Sequence, residues 1–64
     1  MPVIRVEMFK RTQEQKRNLV KELTDAFVRT CGSDKDAIKI LINEVDENNW
    51  ASGGIITADK KNKF

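Results

Sequence analysis

Residues Pro2 to Met8 alternate in character, with Ile4, Val6 and Met8 on one side and Val3, Arg5 and Glu7 on the other. A period of two is that of a strand with one face turned to a core. Lys10-Arg11 breaks the pattern, and Thr12-Gln13-Glu14-Gln15 has the form of a capping box, with Thr12 as N-cap and Gln15 reaching back. Leu19, Leu23, Ala26, Phe27 and Thr30 then recur at helical spacing, the stripe widened by Val20, and Gly32 suits the position just past the helix end. Ser33-Asp34-Lys35-Asp36 predicts a second cap and one short helical turn. The β-branched run Ile38 to Val45 predicts a second strand. Asp46-Glu47-Asn48-Asn49 is turn chemistry, and Gly53-Gly54 predicts a two-residue hairpin between Trp50-Ala51-Ser52 and Ile55-Ile56-Thr57. The tail from Asp59 to Phe64 is mostly charged and is expected to be mobile.

Strand, helix and strand in this order predict an α/β fold, a β-α-β unit with parallel strands, a right-handed crossover and a short C-terminal hairpin. The second strand is apolar on both faces, with Ile38, Ile40 and Ile42 on one and Leu41 and Val45 on the other. Strands of that kind are ordinarily covered on both sides, yet the chain has a single long helix to offer. The uncovered face calls for another subunit. Size leads to the same expectation: a chain of 64 residues buries only about 60% of the surface its unfolded form exposes. A single core below roughly 70–80 residues rarely supplies more than about 3–5 kcal/mol. Cys31 is the only cysteine, so no internal disulfide can form. With no histidine there is no zinc site either, and no metal or other cofactor is expected. Oligomerisation is the remaining remedy.

The charge balance narrows the partners. Twelve basic and ten acidic residues leave a net charge of +2, too even to argue for nucleic acid, and no apolar stretch is long enough for a membrane span or a signal segment. A soluble, reducing, cytoplasmic setting is the default expectation. The lack of histidine also removes the commonest general base at neutral pH. Proton chemistry must then come from a carboxylate, a lysine or a terminal amine. Pro2 stands out here, because a methionine before a small residue is usually trimmed, and trimming would leave Pro2 with a free secondary amine. Pro is equally tolerated as the first residue of a strand, so the Met1-Pro2 pair carries little weight by itself.

Taken together, Pro2, the run Arg11-Thr12-Gln13-Glu14-Gln15-Lys16, Asn43-Glu44-Val45 and Trp50-Ala51-Ser52-Gly53-Gly54 resemble the 4-oxalocrotonate tautomerase family of the tautomerase superfamily, over roughly Pro2 to Ala58. No single motif is specific; their order, spacing and total length are. The resemblance implies one tautomerase-like domain over residues 1–64, assembled as a homo-oligomer, with a hexamer built from dimers favoured. It further implies an isomerase acting on a small unsaturated oxo-acid, with Pro2 as general base, Arg11 and the residue at position 39 binding and polarising the substrate, and Trp50 near the amine. The family's second substrate-binding arginine aligns with Lys39, which keeps the charge and loses the planar bidentate fork. The turn before Arg11 is one residue shorter than in the parent enzyme.

In the implied chemistry the amine must be unprotonated at neutral pH. Burial against Trp50 and the charges of Arg11 and Lys39 would disfavour the ammonium, and the same cations would hold a carboxylate and a developing dienolate oxygen. Water-adding relatives need a carboxylate to activate water, and Trp50 to Thr57 contains none. The alternative is a weakly active or non-catalytic subunit of a mixed tautomerase-like oligomer, which the lysine at position 39 keeps open. Read without the resemblance, Arg11 is a solvated loop residue, Lys39 an edge-strand lysine and Trp50 a core or interface anchor. Cys31 reads as a small hydrophobe at the helix end, and Asp46-Glu47 as a solvated turn.

Overall fold

The computed structural model describes residues 1–61. Strand β1 (Val3–Phe9) leads through a three-residue turn into helix α1 (Gln13–Cys31). A 3-10 turn (Lys35–Ala37), strand β2 (Lys39–Val45) and a second 3-10 turn (Glu47–Asn49) follow, and β3 (Ala51–Ser52), β4 (Ile55–Ile56) and a short helix α2 (Thr57–Lys61) close the chain. The helix starts where its chemistry says it should. The Thr12 hydroxyl accepts from the Gln15 N–H and the Gln15 side-chain oxygen accepts from the Thr12 N–H, each at 3.1 Å, which satisfies two otherwise orphaned donors. It ends at Gly32, whose φ of 74° lets its N–H reach back to the Val28 carbonyl.

Strands β1 and β2 are parallel and in full register from Val3↔Lys39 to Phe9↔Val45. The alternation therefore sorts the side chains cleanly. Ile4, Val6, Ile40 and Ile42 are half-buried on the face that meets α1, where Val20 and Lys16 lie against Ile42 and Glu44. The opposite face carries Val3 and Leu41, 58% and 51% exposed, together with Arg5, Glu7 and Asn43. Asn43 donates to the Glu7 carboxylate across the strands at 3.2 Å. This is the apolar second face of β2, and the described residues leave its Val3 and Leu41 uncovered.

The remainder of the chain forms an arm. The β3–β4 hairpin turns on Gly53 and Gly54, whose φ values of 59° and 81° are those a tight two-residue hairpin demands. It is clamped by the Thr57 N–H donating to the Trp50 carbonyl at 2.8 Å. The radius of gyration is 15.5 Å and the long axis 46 Å, against about 11 Å for a compact chain of this length. Ile38, at 8% exposure, is the only buried hydrophobic among the described residues. A two-stranded sheet with one helix and a projecting arm is a shape that depends on neighbours.

The second cap and its short turn formed as read, with Asp34 accepting from the Asp36 N–H. Two details depart from the sequence reading. Thr30 is exposed instead of packing with the helix stripe, and its hydroxyl donates to the Ala26 carbonyl at 2.8 Å. The tail is expected from sequence to be mobile from Asp59, whereas Thr57–Lys61 is helical; the rest of that expectation, residues 62–64, lies outside the described residues. No described helix is long and apolar enough to cross a membrane.

Candidate active site

Pro2 immediately precedes β1 and Lys39 opens β2. In a parallel pair both lie at the same end of the sheet. The Lys39 N–H donates to the Pro2 carbonyl at 3.0 Å, so the ladder fixes Pro2 beside Lys39 before the first strand residue. The Lys39 ammonium donates to the Asp36 carbonyl at 3.3 Å. Met1 is 90% exposed, and while it is present the Pro2 nitrogen is an amide.

Arg11 and Trp50 sit at the other end. Arg11 stands two residues past Phe9, the last residue of β1, and its backbone N–H donates to Glu44 Oε2 at 3.1 Å. Glu44 Oε1 accepts from Lys16 Nζ at 3.2 Å, so one carboxylate links the end of β2, the turn before α1 and the first turns of α1. The Arg11 amide, and after it the Lys16 ammonium, hold the Glu44 carboxyl below its ordinary value of 4.5. The Arg11 guanidinium donates to the Lys10 carbonyl at 3.3 Å. Trp50 stands edge-on to Phe9, ring centres 5.9 Å apart at 83°, a favoured aromatic geometry, and is still 45% exposed. Two open hollows share Phe9 and Val45 as a common wall. One, of about 320 Å³, extends to Arg11 and Glu47, and the other, of about 170 Å³, to Trp50 and Met8.

The four residues singled out from sequence thus form two pairs and not one cluster. Six strand steps separate Val3 from Phe9, and at about 3.3 Å per step the pairs lie roughly 20 Å apart. No lysine or arginine side chain spans that gap. Both cations are nonetheless available to an anion: the ion pair between Lys16 and Glu44 leaves Arg11 and Lys39 without a carboxylate partner among the described residues. Among the described residues no group of acidic, cysteine or histidine side chains could hold a metal ion.

Two residues at the Arg11 end were not assigned a part from sequence. Phe9 lies one residue beyond the strand as read from alternation; extending the period by one would have put it on the same face as Val45. Glu44 appeared in the sequence only within a motif, and its partners lie 28 and 33 residues away, a distance no local pattern reveals.

The Tautomerase enzyme family matches residues 2–60. The chain belongs to the tautomerase family. A Staphylococcus aureus protein described as a probable tautomerase is 36% identical over 61 residues, covering 94% of this chain and 100% of the relative. A solved 4-oxalocrotonate tautomerase isozyme from Methylibium petroleiphilum superposes with a TM-score of 0.92 at 36% identity, covering 98% of this chain and 100% of that one. A heterohexamer 4-oxalocrotonate tautomerase from Chloroflexus aurantiacus superposes at 0.85 with 30% identity, over 92% and 97% of the two chains. The resemblance drawn from the motifs and the β-α-β fold with a C-terminal hairpin are both borne out. This tautomerase-family chain has proline at position 2, arginine at position 11 and lysine at position 39.

Proposed function

We propose that the protein is a tautomerase interconverting enol and keto forms of a small unsaturated oxo-acid, with the Pro2 amine, freed by removal of Met1, as general base. The observation that carries this reading is the backbone hydrogen bond from the Lys39 N–H to the Pro2 carbonyl, which places a lysine next to the residue whose nitrogen would be freed. An α-amino group ordinarily titrates at about 7.7–8.0, and a secondary amine is intrinsically more basic. A neighbouring ammonium disfavours its protonation and leaves more of the free base at neutral pH. The amine lone pair takes the proton from the enol oxygen or the adjacent carbon, the electrons move through the conjugated system, and the same proton returns at the far carbon. The redox state of the substrate is unchanged. Lys39 and Arg11 hold the carboxylates and the dienolate oxygen that carries the transient charge.

Because Pro2 and Lys39 lie about 20 Å from Arg11 and Trp50 in one chain, the reading requires a site assembled between subunits. One copy brings the amine end of its sheet against the Arg11 end of another. The exposed Val3 and Leu41 of the outer face, and Ile38 as the only buried hydrophobic among the described residues, support an oligomer of this kind. A homo-oligomer, with a hexamer favoured, fits the chain, and the heterohexameric relative makes a mixed assembly the second reading. Lys39, which lacks the guanidinium fork, is the feature that favours it.

The test is intact mass on the purified protein, paired with an ultraviolet assay of 2-hydroxymuconate ketonisation. Loss of methionine from the mass and loss of about 10²–10⁴-fold in rate on blocking the terminal amine are expected, the usual scale of general acid–base contributions. Full activity with the amine blocked would contradict the proposed role of Pro2.

A further inference from the structure

We propose that Glu44 is a positioning residue for Arg11: its carboxylate, braced by Lys16, fixes the short turn that carries the guanidinium, and so sets how tightly a substrate carboxylate is held. This rests on the reading of Arg11 as a substrate-binding residue. The turn between β1 and α1 is only Lys10, Arg11 and Thr12. Thr12 is already committed to the capping box on its C-terminal side. The Arg11 amide has no strand or helix partner to go to, and it is taken instead by Glu44 Oε2 at 3.1 Å. The second oxygen, Oε1, is held by Lys16 at 3.2 Å, so the carboxylate has both acceptors occupied and a fixed orientation.

No hydrogen bond or ion pair joins the Glu44 carboxylate to the Arg11 guanidinium, which donates instead to the Lys10 carbonyl. That is the useful part of the arrangement. A carboxylate paired directly with the guanidinium would compete with an anionic substrate, whereas one that grips the backbone N–H orients the residue and leaves its charge for the ligand. Lys16 and the Arg11 amide both favour the ionised carboxylate, and Lys10 adds to this, so the brace is in place at neutral pH.

The test is a double-mutant cycle on the full chain, read as KM and kcat for 2-hydroxymuconate, with Glu44→Ala, Glu44→Gln and Arg11→Ala. Glu44→Ala is expected to raise KM about tenfold while kcat stays within about twofold, the scale of a lost hydrogen bond to a charged acceptor. Glu44→Gln keeps an oxygen for the Arg11 amide and is expected to recover most of that loss. In the Arg11→Ala background, Glu44→Ala is expected to change KM by less than about twofold, because there is no guanidinium left to orient. An independent readout is the Arg11 amide proton by NMR, which should shift as the Glu44 carboxyl titrates and lose that step in Glu44→Gln. Equal losses with and without Arg11, or an Arg11 amide indifferent to Glu44, would overturn the positioning role while leaving the tautomerase reading intact. Turnover left unchanged by the single substitution Arg11→Ala would overturn the reading of Arg11, and the positioning role with it.

Discussion

At the end of the sheet where β1 and β2 begin, one backbone hydrogen bond from Lys39 to Pro2 is the principal tie. Where the strands finish, Glu44 joins three segments and Phe9 meets Trp50 edge-on. The contrast has a physical origin. Parallel strands need a crossover, and here that crossover leaves β1 at Phe9, so the turn and the first turns of α1 gather around the finishing end. The starting end has the N-terminus, the later turns of α1 and a 3-10 turn. The Arg11 end is thus organised within one chain, whereas the Pro2 end, on the proposed reading, needs removal of Met1 and a neighbour to complete it.

If Arg11 is the substrate clamp of the organised end, Arg11→Ala should lower kcat/KM about 10²-fold, the scale seen when one group stabilising a developing oxyanion is removed. Steady-state kinetics with 2-hydroxymuconate checks this, and a loss below a few-fold would erase the functional contrast between the ends. The open end should respond less and in the other direction. Lys39→Arg restores a planar fork where a flexible ammonium now stands, and KM for a dicarboxylate substrate should fall by about threefold; a rise would mean that the lysine serves better there. The smallest effect concerns the brace itself. The folded-state pKa of Glu44 is lowered from 4.5, so its ionised form is favoured by folding. The resulting stability is fully present above the unfolded value and is lost as pH falls through the folded one. Thermal melts of wild type and Glu44→Gln should therefore differ at pH 7 and converge well below pH 4.5; a difference that persists in acid would assign the effect to packing.

The local chemistry of the fold was legible in the chain. The capping box at Thr12 and Gln15, the glycine that ends α1 and the Gly53-Gly54 hairpin are each written in adjacent residues, and each formed where it was read. The period-two run of β1 and the β-branched run of β2 likewise gave the two strands to within a residue. What could not be read was long-range. Nothing in the spelling of Asn43-Glu44-Val45 says that its carboxylate reaches the amide of Arg11, because that contact exists only once the register Phe9↔Val45 is set. Helix α2 escaped notice because Thr57–Lys61 is short and carries no apolar stripe. The candidate residues themselves, Pro2, Arg11, Lys39 and Trp50, were legible through their combined resemblance to a family. Their distribution over two distant ends of the sheet was not, since a parallel pairing converts sequence order into spatial separation in a way that motif spacing does not display.

That separation can be tested directly by subunit complementation. One chain is extended at its N-terminus so that Pro2 stays in a peptide bond, the other carries Arg11→Ala, and the two are unfolded together and reassembled in equal amounts. A site drawing its amine and its arginine from different copies predicts recovered turnover, approaching about one quarter of the wild-type sites on random mixing of identical subunits. If each site used Pro2 and Arg11 of the same chain, no mixed oligomer would contain an intact pair, and activity no higher than the mean of the two parents would contradict the account.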